Sequence, residues 1–225
     1  NEAHKSSFGH LGELASKFAQ WFSLTQVMST VFRWARSMVD EVIAIDSAMT
    51  ELKKVTDETD ATYDNFLTNA AQRSRELGSS ISDTVNATAD FTRLGYSIEE
   101  AEAMADAAIV YKTVGDGIED VTEASESIIA TMQAFGDETL SAMGIVDKFN
   151  NVGNSFAISS KGVGEALLRS AAAMSAANNT IDETIALAAA SNTIVQDPLV
   201  VGTTLKTISM FLRASKTEAE EAGEE

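Results

Sequence analysis

From Glu13 to about Val55 the chain contains neither glycine nor proline, whereas after Val55 glycine returns at Gly78, Gly95, Gly115, Gly136 and Gly153. This punctuation restricts the fold more than any other feature. A long uninterrupted stretch with apolar residues at helical spacing specifies one long helix, or two nearly continuous ones. Regular glycine or asparagine stops followed by capping residues specify helices of some twelve to eighteen residues. The spacing predicts helices near 61–77, 83–94, 98–114, 119–135, 139–152, 162–177, 181–194 and 198–214. No segment alternates as a strand does, so the predicted fold is all-α: a long N-terminal coiled-coil-like helix followed by a bundle of short helices.

Three helix starts are specified by local chemistry. Ser97 with Glu100 and Thr180 with Glu183 have the capping-box spacing, in which hydroxyl and carboxylate each satisfy a backbone N–H at the helix end. Asp197 precedes Pro198, the one proline, and proline at a first helical position loses no hydrogen bond. The segments 97–108 and 180–191 also share a pattern of hydroxyl, Ile, acid, Glu and an Ala-rich apolar face. Either an internal duplication or the common look of capped Ala-rich helices accounts for it.

Within the long helix, Leu14, Phe18, Trp21, Thr25, Met28, Phe32, Ala35, Val39 and Val42 follow an unbroken four-three alternation. That is the seam of a coiled coil, and it predicts a homo-oligomer with contacts through Leu14, Phe18, Trp21, Met28, Phe32, Val39 and Val42. After Val42 the seam slips to Ile45, Met49 and Leu52. Phe22, Val31, Trp34, Met38 and Ile43 widen the stripe, so packing on the following helices is the competing reading. The expected organisation is a long amphipathic helix over 1–56, a compact helical module over 57–215 and an acidic tail or truncated helix over 216–225.

Sixteen Lys and Arg stand against thirty-four Asp and Glu, a net charge of -18, so a phosphate backbone would be repelled and no direct nucleic-acid binding is expected. The absence of Cys excludes disulfides and thiolate metal sites. The chain opens on Asn1 without the pattern of a signal peptide and reads as a fragment of something longer. Its longest charge-free stretch, Phe18 to Phe32, is 15 residues and too short to span a bilayer. Phe18, Trp21, Phe22, Phe32 and Trp34, with Lys17, Arg33 and Arg36, could instead enter a membrane interface transiently.

The chemistry-bearing residues form no catalytic, cofactor or metal constellation. His4 and His10 are six apart and share no helix face, and the acids Asp57, Glu58, Asp60 and Asp64 lack the calcium-loop pattern. Gly115 and Gly117 have no preceding strand and no following lysine, so they read as a helix stop and turn. Gly162 and Gly164 read as positions of close helix contact near Ala166 and Ala171 to Ala173. The expected protein is not an enzyme.

Several segments together resemble the phage tail tape measure protein family. They are IDSAMTELKKVTDET (45–59), SRELG (74–78), FTRLGYSIEEAEAMA (91–105), SIIATMQAFG (127–136), DKFNNVGNSFAISSKGVGEALLRSAAAMSAANNTIDETIALAAASN (147–192) and QDPLVVGTTLKTISMFLR (196–213). The aromatic segment before residue 40 is similar to one in large members from phages and prophages of Gram-positive hosts. The resemblance implies a virion protein inside the tail tube that fixes tail length during assembly in the host cytoplasm. It further implies binding to the tail tube protein, tail assembly chaperones and tail tip proteins, and release at DNA ejection. A helical signalling or adaptor module of a bacterial protein is the alternative. Such rods hold heptads over long distances, which the regular glycine stops do not allow.

Overall fold

A computed structural model describes residues 24–136 and 140–222, with side chains over 39–136 and 140–217. The fold is all-α. Among the described residues there are nine helices and no strand: α1 (Leu24–Val55), α2 (Asp60–Leu77), α3 (Ile81–Thr92), α4 (Ile98–Val114), α5 (Val121–Phe135), α6 (Ala142–Ser155), α7 (Ser160–Ala176), α8 (Ile181–Val195) and α9 (Pro198–Ala222). The chain divides into two units, 1–47 and 48–225.

Side-chain capping sets where each helix from α2 onward begins. Thr59, Ser80, Ser141 and Ser159 accept from the N–H three residues on, as does Asp120, and both predicted capping boxes are formed. Asp197 Oδ1 accepts from the N–H groups of Leu199 and Val200 at 3.1 Å each. These caps shift several starts from their predicted positions: α3 begins at 81, α5 at 121, α6 at 142 and α7 at 160. At the other end, Gly78 closes α2 in the left-handed region at φ 69°, donating its N–H to Ser74.

Gly153 differs from expectation. It lies inside α6, where an added Cβ would fall 2.6 Å from the backbone N of Ser160. Its role is to let the end of α6 touch the start of α7, a tertiary demand that local spacing does not reveal.

Within the second unit, α7 is central and packs on α5, α6, α8 and α9, while α3 packs on α2, α4 and α5. The main core gathers Phe91, Tyr111, Ile128, Phe149, Leu167 and Val201, with the Tyr111 and Phe149 rings 5.6 Å apart. Burying each of these large side chains contributes roughly 1.5–3 kcal/mol. A second cluster joins Leu52, Tyr63, Phe66, Val85 and Ile98. Helix α3 serves both, giving Ala87 and Phe91 to the first and Val85 and Ala89 to the second. Its buried threonines cost little, because the Thr88 hydroxyl donates to the Thr84 carbonyl at 2.9 Å and Thr84 shares a hydrogen bond with Ser74 at 2.8 Å.

Small residues bring α7 close to its neighbours. A Cβ on Gly202 of α9 would lie 2.5 Å from the Ala166 carbonyl oxygen, and one on Gly164 would lie 2.8 Å from the Tyr111 hydroxyl. Tyr111 uses that approach to donate to the Ser160 carbonyl at 2.7 Å, fully buried. Close contact at Gly162 and Gly164 is therefore observed, with Pro198, Tyr111 and Ser127 as the partners.

Candidate interaction surface

The seam of the long helix falls partly outside the described residues. Leu14, Phe18 and Trp21 lie there entirely, and Met28 and Phe32 lie on α1 with side chains outside them. Val39 and Val42 are described and exposed, as is Ile43. After the slip the same helix turns apolar groups inward: Ala48 and Leu52 are buried, and Met49 packs against the second cluster. Among the described side chains, the three-residue slip thus falls between exposed Val39, Val42 and Ile43 and buried Ala48 and Leu52.

A second apolar surface was not foreseen. Helix α8 buries Thr184, Ile185, Ala188 and Ala189 and leaves Ala186, Leu187, Ala190 and Ile194 outside, Ile194 at 87% exposure. In the register of the shared pattern with α4, Ala190 and Ile194 match Ala107 and Tyr111, which are both buried. The same kind of helix is thus enclosed at α4 and open at α8. The exposure continues on α9 through Leu199, Val200, Ile208, Met210, Phe211 and Leu212.

Two grooves border this surface. One of about 380 Å³ runs between α6 and α8, floored by Val152, Ile185, Ala189 and Ala190 with Phe156 at its edge. A larger one of about 740 Å³ lies among α7, α8 and α9, with Leu187, Leu205, Ile208 and Leu212 as apolar walls and Arg213 at the rim. Exposed contiguous apolar surface of this kind marks an interaction site more often than a chemical one.

The electrostatics of the second unit are those of helix packing. Arg73 of α2 pairs with Asp106 and, at 3.5 Å, with Glu102, both on α4. Burial pushes the Glu102 and Asp106 carboxyls above the ordinary carboxylate range, against the pull of Arg73, and one oxygen of each has no partner. Burial likewise raises Asp90 and Glu165, the latter beside Lys161, which pairs with Glu123 at 2.7 Å. At the two capping boxes Glu100 and Glu183 are instead held low by hydrogen bonds from the cap backbone and hydroxyl.

Asp57, Glu58, Asp60 and Asp64 are exposed around the α1–α2 turn, and His4 and His10 lie outside the described residues. Among the described residues no group of three or more His, Asp or Glu is placed to hold a metal ion, and no helix is long and apolar enough to cross a membrane.

A family model described as phage-related minor tail protein matches residues 68–225, more than two thirds of the chain. The chain belongs to the phage-related minor tail protein family. Membership makes it a structural component of a phage tail, and hence of the virion. No solved structure matches it. The part shared with the minor tail proteins starts within α2 and takes in the whole main core, both grooves and the α8–α9 surface, while the α1 seam lies upstream of it.

Proposed function

We propose that this minor tail protein is an internal helical region of a tape measure protein, of the large kind found in phages and prophages of Gram-positive hosts. Residues 60–215 act as a packed docking or assembly module, and the rod that measures tail length lies elsewhere in the parent chain. The observation that carries this reading is the folding back of α2 to α9. A ruler works best as continuous helix at about 1.5 Å per residue, yet here Tyr111 bonds Ser160 and Arg73 bonds Asp106 across distant turns.

In this reading the chain takes no part in catalysis. Its partners are further copies of itself through the N-terminal seam, the tail tube protein, tail assembly chaperones and tail tip proteins. It sits inside the tail tube after assembly in the host cytoplasm and leaves with the DNA, with a passing membrane contact by the aromatic N-terminal segment.

The test is in-frame removal of residues 60–215 from the parent gene, with tail length read by electron microscopy. Absent tails, or tails of uncontrolled length, are the expected result. Tails shortened by roughly 230 Å, the length of the missing residues as one helix, would make this region part of the ruler. Normal tails would refute both roles. Incubation of the chain with peptidoglycan is expected to release no soluble fragments, and clear cleavage would overturn the non-catalytic reading.

A further inference from the structure

The hairpins α3–α4 and α7–α8 agree well beyond their capping boxes. Two residues before the caps Ser97 and Thr180 the backbone is left-handed in both, Gly95 at φ 94° and Asn178 at φ 64°. That conformation is commonly given to glycine and sometimes to asparagine. Six residues before each cap, Phe91 and Met174 enter the main core. A third helix then packs on each hairpin, α5 on the first and α9 on the second, and each is capped by an aspartate. Counted from Asp120 and Asp197, the buried Ala124, Ser125 and Ile128 of α5 match the buried Val201, Gly202 and Leu205 of α9. Agreement over three helices exceeds what two capped Ala-rich helices need to share.

The two sets differ in what covers them. Helix α6 packs on α4 and sets its Phe149 ring 5.6 Å from Tyr111, whereas Ile194, in the place of Tyr111 on α8, is 87% exposed. Ser127 of α5 is buried against α7, where an added Cβ on Gly164 would fall 2.9 Å from its hydroxyl. Thr204, in the place of Ser127 on α9, is exposed. The two openings thus match the two helices, α6 and α7, that follow α3–α5 in the chain. A repeated helical unit leaves such a face open until the next unit is laid on it.

We propose that the α8–α9 surface is the seat of the next two helices of the parent chain, the first lying on α8 as α6 lies on α4, the second on α9 as α7 lies on α5. This rests on the reading of the chain as an internal region of a longer one, and it adds how that longer chain continues. The first set of helices gives the chemistry of the occupant. Its first helix carries large apolar side chains spaced as Ile145, Val146 and Phe149, and its second sets a small residue opposite Thr204 as Gly164 stands opposite Ser127.

The chain has no Cys, so Ile194→Cys and Thr204→Cys each place a single thiol on this surface. Both positions are exposed, so the variants should melt with the unmodified chain. Each is made in the 225-residue chain and in the same chain extended by the next two helices of the parent gene, and alkylation by iodoacetamide is timed. Both thiols are expected to react at least tenfold more slowly in the extended chain, while a control thiol at exposed Thr68 of α2 reacts alike in the two. Unslowed alkylation of either surface thiol overturns the proposal. So does protection of either thiol in the 225-residue chain by rising protein concentration or by phosphatidylglycerol vesicles: the first gives the surface to a second copy and the second to a lipid surface. A parent gene with no helix after α9 removes the underlying reading and the proposal together, whereas unslowed alkylation in an extended chain removes the proposal alone.

Discussion

Substituting Gly202 by Ala tests the packing on which the presentation of α9 depends. The new Cβ would lie 2.5 Å from the oxygen, 2.9 Å from the Cα and 3.1 Å from the carbonyl carbon of Ala166. The first contact is about 0.9 Å short of ordinary van der Waals distance, and all three atoms are backbone, so no rotamer change relieves it. Either α9 moves off α7 or both helices deform. Overpacking of this kind costs about 1–3 kcal/mol, and backbone contact places Gly202→Ala near the upper end. Replacing a helical glycine by alanine returns about 1 kcal/mol. The net expectation is a loss of about 2 kcal/mol, which for a domain of this size lowers Tm by about 4–8 °C.

Thermal and urea unfolding followed by circular dichroism would measure this loss, and amide exchange over 203–217 should quicken as α9 loosens. Adding Ala166→Gly must not rescue the variant, because the clash is with the Ala166 backbone and not its methyl group. A gain in stability from Gly202→Ala, or a rescue by Ala166→Gly, would show that α9 does not sit on α7 as described.

Other expectations follow from single contacts. Tyr111→Phe leaves the buried Ser160 carbonyl without its 2.7 Å donor and should cost about 1–3 kcal/mol in urea unfolding, with no change of secondary structure. Ser97→Ala and Thr180→Ala each remove a cap hydroxyl and should cost about 1 kcal/mol, whereas the same change at exposed Ser215 should do almost nothing. The buried carboxyls Glu102, Asp106, Asp90 and Glu165 bind protons more readily folded than unfolded, so stability should rise as pH falls from neutrality towards the ordinary carboxylate range. Glu102→Gln should flatten that rise in urea midpoints taken across pH. Glu100 and Glu183 have the opposite sign: their contribution is present above the ordinary carboxylate range and is lost as pH falls through their lowered folded values.

Where the sequence was legible, the deciding chemistry was local. Ser97 with Glu100, Thr180 with Glu183 and Asp197 before Pro198 each determine a helix start within four residues, and all three starts are observed. Gly78 ends α2 because only its own φ is at stake. Gly153 was misleading for the opposite reason, since its purpose is an approach to Ser160 from a different helix. The predicted stop of the last helix at 214 gave way to Ala222, because an acidic Ala-rich run propagates a helix as readily as it ends one. The α8–α9 surface was hidden for a further reason. Its residues are apolar in a plausible core pattern, and only the position of α7 beneath Val201 and Leu205 shows which of two apolar sides faces water.

Apolar side chains are exposed on helices at either end of the described chain. On α1 the exposed Val39 and Val42 continue a seam that begins at Leu14 and is apolar at every step except Thr25, a pattern that suits a like helix. On α9 the outward face is threonine-rich, with Val200, Thr204, Thr207, Phe211 and Ala214 all exposed. Between them the family's helices are closed by caps and by glycine contacts that fix the order of packing. Because the α1 stripe lies upstream of the residues shared with the family and α9 lies within them, separate substitutions at Val42 and Phe211 should not act on one and the same association, and a single variant that abolished every association of the chain would mean that the two faces serve one interface.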